Sequence, residues 1–443
     1  SLPSGAVLVG TDRGVAEVVS MPQSGNGAER VRISVETAGD VTLTKPVDVI
    51  AFLPRGVEVN VGDRIALAWS FEHVDTLAPG FGGWVTSQGV VGVVYVYEVT
   101  IEARGDSWER PLVDARRLVS DRLQRLIPGD AGALASGIVT GDDSRMSAEV
   151  NGAFQRTGTA HVTAVSGQNV AMLIGLAALL FPARWRKRAV MIQAALVVLI
   201  VSYALMVVFN PPSVRAAFFA ILVLFGARFG RRPDLFTILA LVTAGMVLWN
   251  PGMVQSISFW LSVVSSAALV TCLEHELGAG WKRKVGGVIV GLAAAQLSTV
   301  PITLAAFGTW SIGSIFANLI IAPIVALAFP VTFVVALVAV ASPTAARWIG
   351  WFPEILLRFV IDVVTEIDRT FGVVDFAASR ELGVIAIAVP CGMGLLVLSG
   401  DARRWLDRVR QSPFRESSGG RAAIAGASMG LGLAIAVAIL GFH

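Results

Sequence analysis

From residue 161 onward the chain returns repeatedly to apolar runs too long for the core of an ordinary soluble domain. The run 189–209 carries no charged residue, and it exceeds the roughly 18 residues that mark a transmembrane helix. A bilayer core has no water to satisfy a free amide or carbonyl, so runs of this kind cross as helices with every backbone group paired internally. Candidate spans fall at 161–181, 189–209, 213–229, 235–249, 253–273, 285–307, 312–341, 382–398 and 422–442. A hydrophobic content of 54% and a mean hydropathy of +0.70 agree with them. The expected fold class is an α-helical polytopic membrane protein.

The first 110 residues are different. Val- and Ile-rich stretches at 6–19, 30–37, 41–52, 64–71 and 90–101 alternate with Gly, Pro, Asn and Asp turns, which predicts a small all-β domain of about five strands. Five such strands fit an OB-like barrel, and other small barrels share the pattern. Barrels of that kind stack bases on aromatics in a basic groove, and Phe52, Trp69, Phe71, Trp84, Tyr95 and Tyr97 are the available rings. Charge opposes this use: eight Lys and Arg stand against fourteen Asp and Glu over residues 1–110, a balance that repels phosphate. Core packing accounts for most of these rings.

The chain therefore divides into an OB-like β-barrel domain (1–110), a juxtamembrane amphipathic segment (111–160) and a polytopic transmembrane domain (161–443). Within 112–127, Leu112, Ala115, Val119, Leu123 and Leu126 share one helical face, with Arg116, Arg117, Asp121, Arg122 and Arg125 elsewhere. Residues 348–371 repeat the pattern. Both read as helices lying at the membrane surface.

Orientation follows the short basic loops. Arg184 to Arg188, Arg228 with Arg231 and Arg232, Lys282 to Lys284, and the run 403–421 belong in the cytoplasm. Loops 210–213, 250–252 and 308–314 hold no Lys or Arg. The barrel is then extracytoplasmic, in a multi-pass protein of the bacterial cell membrane. One crossing by 312–341 would put the basic 403–421 run outside. That stretch is therefore expected to enter and leave on one side as a broken pair, with Pro323 and Pro330 as the breaks and Asn318 in the lining. The first residues have neither a basic nor an apolar export region, so earlier membrane segments are expected to precede them.

His161-Val162-Thr163-Ala164-Val165-Ser166-Gly167-Gln168-Asn169-Val170 places a polar cluster at the head of the first apolar span. Ser, Thr, Gly and Asn are common glue between membrane helices, whereas polar groups in hydrocarbon also mark solute paths. The order of these residues resembles the signature of the ComEC/Rec2 competence family, with Asn169 where many members carry a second His. Gly141-Asp142-Asp143-Ser144 and Thr157-Gly158-Thr159-Ala160 resemble the family's approach to it. Pro212-Ser213-Val214-Arg215-Ala216, Asn250-Pro251 with Phe259-Trp260-Leu261-Ser262, Pro301, Phe307, and Asn318 with Pro323 follow in the family's order. The likeness runs over residues 111–341.

What the resemblance implies is a membrane channel for uptake of single-stranded DNA during natural transformation. Its path would be lined by His161, Ser166, Gly167, Gln168, Asn169, Asn318 and Pro323. Arg215 would stand at the mouth, where a guanidinium fork matches phosphate oxygens; the alternative for Arg215 is snorkelling to the outer interface. Implied partners are the lipid bilayer, a DNA receptor or nuclease outside, and a motor or DNA-binding protein in the cytoplasm, since no Gly-x-x-x-x-Gly-Lys-Ser/Thr loop is present. His73, His161, His275 and His443 form no hydrolytic metal spacing. Cys272 and Cys391 lie in apolar runs and read as small buried hydrophobes. No enzyme activity, metal or cofactor is expected; family members often continue into a nuclease domain that this chain is not expected to contain. Two other classes fit the residues, a secondary transporter of a small polar solute and a non-conducting scaffold whose polar groups pair with one another.

Overall fold

The computed structural model describes residue 8 and residues 10–375, apart from 26–27, 55, 78–80, 83–84, 87, 164, 166, 181–188, 208–210, 229–233, 277–280, 308, 312 and 373. The spans expected at 382–398 and 422–442, and the basic run 403–421, lie outside the described residues.

Six strands form the N-terminal sheet: β1 (Arg13–Val18), β2 (Gln23–Gly25), β3 (Ala28–Ala38), β4 (Val41–Leu53), β5 (Arg64–His73) and β6 (Gly92–Ala103). The five long strands match the sequence expectation, and β2 is a short addition. Side chains alternate across a strand, so Val31, Ile33 and Val35 of β3 and Val47, Val49, Ala51 and Leu53 of β4 share one core around the fully buried Trp69. The order β1-β5-β6-β4-β3 closes because β3 also pairs with β1. Neighbours are antiparallel except β4 and β6, which run parallel through Ile50↔Val93 and Phe52↔Tyr95. Closure leaves no long edge open to another chain. Gly14 permits it, since a Cβ there would lie 2.0 Å from the Thr37 carbonyl oxygen and 2.6 Å from the Trp69 ring.

The body is helical: α1 (Arg110–Leu126), α2 (Asp130–Thr140), α3 (Ala148–Arg156), α4 (Gly167–Leu180), α5 (Ala189–Met206), α6 (Pro211–Arg228), α7 (Leu235–Trp249), α8 (Ile257–Glu276) and α9 (Trp281–Phe307). It continues as α10 (Gly313–Ala341), α11 (Pro343–Ile349) and α12 (Trp351–Phe371). A two-stranded ladder, β7 (Thr309–Trp310) with β8 (Val374–Asp375), flanks the last three helices. The largest core gathers Leu134, Ile138, Phe154, Tyr203, Phe329 and Leu357 from α2, α3, α5, α10 and α12.

Helix α1 corrects the first amphipathic expectation. Its fully buried stripe is Val113, Arg116, Ser120 and Leu123, which shares Leu123 with the expected face while Leu112, Val119 and Leu126 are half-buried, and it packs on α2, α5, α10 and α11. Met21 and Val61 of the barrel cover Val113 and Leu112. The apolar moment of α1 is spent between barrel and bundle, with a satisfied arginine inside the stripe.

Helix α10 corrects the broken-pair expectation. It is continuous over 29 residues with Pro323 and Pro330 inside it, and Pro323 is exposed. At 1.5 Å per residue its length is about 43 Å, more than the roughly 30 Å hydrocarbon core. It is the one helix among the described residues that is long and apolar enough to cross a membrane; six shorter apolar helices accompany it. The return to one side is made by α12 instead. Phe371, at the end of α12, stacks on Phe316 near the start of α10 at 5.4 Å. Thr309 and Trp310 pair with Asp375 and Val374. The start of α10 and the end of α12 therefore lie side by side, with α12 as the antiparallel partner of α10.

Helix α12 has two apolar faces. Pro353, Leu357, Val360, Val364 and Ile367 are buried on the bundle, while Trp351, Phe352, Ile355 and Phe359 are exposed together with Trp348 of α11. Beyond Phe359 the exposed residues turn to Asp362, Glu366 and Arg369. Asp368 accepts one N–H of Arg156 Nε, shared between its two oxygens, and a second hydrogen bond, of 2.6 Å, from Nη2, which ties α3 to α12.

Candidate polar site at the head of α4

Helix α2 ends at Gly141, whose φ of 76° is a left-handed cap that turns the chain into Asp142, Asp143 and Ser144. The Ser147 hydroxyl accepts from the Val150 amide to start α3. Gly158, at φ 65°, packs on Ser314 at the start of α10. A short turn, Ala160–Val162, then precedes α4. The approach is close: a Cβ on Gly137 would sit 2.3 Å from the Thr163 carbonyl oxygen.

The signature residues separate. His161 and Gln168 are exposed, and Gly167 is half-buried at the first position of α4. Ser166 lies outside the described residues. Asn169 is 4% exposed; its Nδ2 donates to the Ile138 carbonyl oxygen at 2.8 Å, and the Tyr203 hydroxyl lies beside it. Asn169 thus fastens α4 to α2. Asn318 is also engaged, donating to Gln296 Oε1 at 3.2 Å and to the Ser314 carbonyl oxygen at 2.9 Å. It joins α9 to α10, while Pro323 one turn further on shares no hydrogen bond with it. Gln296 and Tyr203 are polar groups that the sequence reading missed; each is a polar side chain inside an apolar run, the signal that flagged Asn169.

Arg215 stands near the start of α6, only 5% exposed. Its Nη1 is sealed from solvent with no hydrogen-bond partner among the described residues. A buried cation is stable only when paired. This is the one cation among the described residues that has at once this depth and an unpartnered terminal nitrogen.

A second polar cluster, which the sequence did not announce, lies where barrel and bundle meet. Arg116 is 6% exposed and donates to the carbonyl oxygens of Pro22 at 2.7 Å, Thr140 at 2.9 Å and Gly141 at 3.2 Å. Arg117 donates to the Val59 carbonyl at 2.8 Å and pairs with Glu29 at 3.4 Å. Burial raises the Glu29 carboxyl above its ordinary value despite Arg117 and Arg116 beside it. Burial also works to raise Asp142, but donated hydrogen bonds from Ser120 and Ser144 outweigh it and leave that carboxyl lowered. Asp143 is raised, by burial and then by the charge of Asp142. Ser120 reaches Asp142 Oδ2 at 2.5 Å, and the Thr163 hydroxyl stands 3.2 Å from Asp143 Oδ2. Among the described residues no three His, Cys, Asp or Glu side chains gather as a metal-ligand group.

The barrel aromatics divide as well. Trp69 is core, Trp84 lies outside the described residues, and Phe52 stacks on Tyr95 at 5.3 Å. Tyr95 and Tyr97 are exposed, and the Tyr97 hydroxyl donates to the Trp69 carbonyl.

A family model described as Competence protein matches residues 138–400. ComE operon protein 3 of Bacillus subtilis (strain 168) is 24% identical over 266 residues, covering 59% of this chain and 34% of that protein. The match thus spans about a third of that relative's length. No solved structure matches the chain.

Proposed function

The chain belongs to the competence protein family, and from that premise we propose that it is a multi-pass membrane channel passing single-stranded DNA toward the cytoplasm, with the barrel on the outer side. The single observation that carries the reading is Arg215: a guanidinium 5% exposed, with Nη1 unpartnered among the described residues, near the start of α6. The positive end of a helix dipole adds to its pull on an anion. A phosphodiester supplies the missing negative charge and matches the planar fork. His161 and Gln168, exposed at the head of α4, are the signature side chains free to meet a strand.

The apolar helices α4 to α9 and the long α10 act as the spanning set, and the exposed Trp348, Trp351 and Phe359 row rests in the headgroup region. The five-strand closed barrel is read as an OB-like fold. Its acidic surface leaves DNA capture to a separate receptor or nuclease, and a cytoplasmic motor or DNA-binding protein supplies the pull. The chain guides the strand and does not cut it.

A second reading, the non-conducting scaffold, is favoured by the pairing of Asn169 with Ile138 and of Asn318 with Gln296. DNase-protected uptake of labelled DNA separates the two. Cells with Arg215→Leu should lose uptake while keeping normal amounts of protein in the membrane, and Arg215→Lys should restore part of it. Full uptake by a well-expressed Arg215→Leu protein would refute the channel reading at this residue.

A further inference from the structure

A continuous polar relay joins the barrel to the head of α4. It starts at the Pro22 and Val59 carbonyls and at Glu29, all on the barrel, which receive Arg116 and Arg117 of α1. Arg116 also holds the Thr140 and Gly141 carbonyls at the end of α2. One turn along α1, Ser120 bonds both Asp142 and the Ser136 hydroxyl of α2. Asp143, 6% exposed, receives the Thr163 hydroxyl, whose single proton is shared with the Ala160 carbonyl oxygen at 3.0 Å. Thr163 sits four residues before α4, against Gly137 with no room for a Cβ. Asn169 then closes the circuit onto Ile138 of α2.

Packing alone would not need this arrangement. An apolar seam of the same volume is usually as stable as buried charges, but apolar surfaces slide, whereas hydrogen bonds of fixed direction hold one register. The observed seam fixes one end on the barrel and the other on the turn that carries His161. All three elements that could let α4 rotate, the 141–144 loop, the 160–162 turn and the α2 to α4 contact, are caught in it.

We propose that Thr163, Asp143, Ser120 and Arg116 are positioning residues that lock the head of α4 to the barrel, so that displacement of the barrel moves His161 and Gln168. The inference rests on the proposed path at the head of α4 for its purpose, but its test does not. The full chain, with Cys272 and Cys391 changed to Ser, would carry Val170→Cys, a position 1% exposed in the first turn of α4, and be labelled in membranes with an impermeant maleimide.

Thr163→Val keeps the shape of the side chain and removes the hydroxyl. It should raise the labelling rate at position 170 by roughly fivefold, the population shift that loss of one buried hydrogen bond gives. Labelling of a control Cys on the barrel, Thr42→Cys, should not change, and Thr163→Ser should restore the slow rate. Ser120→Ala, at the other side of the relay and away from α4, should raise the same rate; a role confined to local packing would leave it unmoved. Unchanged labelling in both Thr163→Val and Ser120→Ala would overturn the proposal. If gene deletion left DNA uptake intact, the channel reading would fail while the labelling result still judged the coupling.

Discussion

The seam between barrel and bundle and the start of α6 each bury an arginine, and they treat it in opposite ways. Arg116 is met by three carbonyl oxygens, with Asp142 and Glu29 nearby. Arg215, at similar depth, has Nη1 without a partner among the described residues. Burial costs both side chains hydration; among the described residues only the first is compensated at every terminal nitrogen. A satisfied buried charge specifies the fold, and an unsatisfied one points to something the fold is waiting to hold.

If that contrast is correct, Arg116→Ala gives the largest loss of stability. It abandons three carbonyls and strands buried carboxylates, a change worth about 3 to 5 kcal/mol, which would appear as a lower thermal midpoint for barrel and bundle together. Arg215→Met should do the reverse, leaving stability unchanged or raised by about 1 kcal/mol, since a well-packed apolar side chain replaces a buried charge whose Nη1 has no partner among the described residues, while DNA uptake is lost. A midpoint that fell in Arg215→Met as far as in Arg116→Ala would end the comparison.

Gly137→Ala sharpens it from the steric side. The added methyl meets the Thr163 carbonyl, and overpacking of this kind costs about 1 to 3 kcal/mol, measured by protease resistance of the helical body.

The adjacent carboxylates provide the smallest and most specific test. Asp142 is lowered by its serine donors, so it contributes stability above the ordinary carboxylate value, lost as pH falls through its depressed one. Asp143 is raised by burial and by Asp142, so its ionised form burdens the folded state and the cost grows as pH rises through its elevated value. Asp142→Asn should therefore destabilise at pH 7 by about 1 kcal/mol, the scale of one hydrogen-bonded group, with the gap closing below about pH 4. Asp143→Asn, which still accepts from Thr163, should be neutral or stabilising at pH 7. Chemical denaturation at the two pH values distinguishes the pair.

Much of the architecture was legible in the residues. Period-two Val and Ile patterns placed β1 and β3 to β6 within a few residues, apart from an early start for β1, because alternation has one solution when one face is buried. Apolar length placed α5, α7 and α9, and the helix at 348–371 appeared as α12. The errors have common causes. Pro323 and Pro330 suggested breaks in 312–341, but the helix runs through both, and the return of the chain fell to α12. The 112–127 face was chosen by hydrophobicity, which ranks Arg116 as outward; three carbonyls gathered from residues 22, 140 and 141 made the inside its better place. Asn169 and Asn318 were identified as polar groups in apolar surroundings, but their partners, Ile138 and Gln296, lie too far away in sequence to be anticipated.

By itself the sequence determined which segments are strands and which are apolar helices, and where the signature head begins, because these depend on periodicity and composition along a short stretch. Tertiary structure alone decided which polar groups are satisfied, that the barrel is fastened to the bundle through Arg116 and Arg117, that α12 returns along α10, and that Arg215 is buried with its Nη1 unpartnered among the described residues. Hydrogen-bond satisfaction is a property of pairs distant in the chain, and only folding brings the second member to the first.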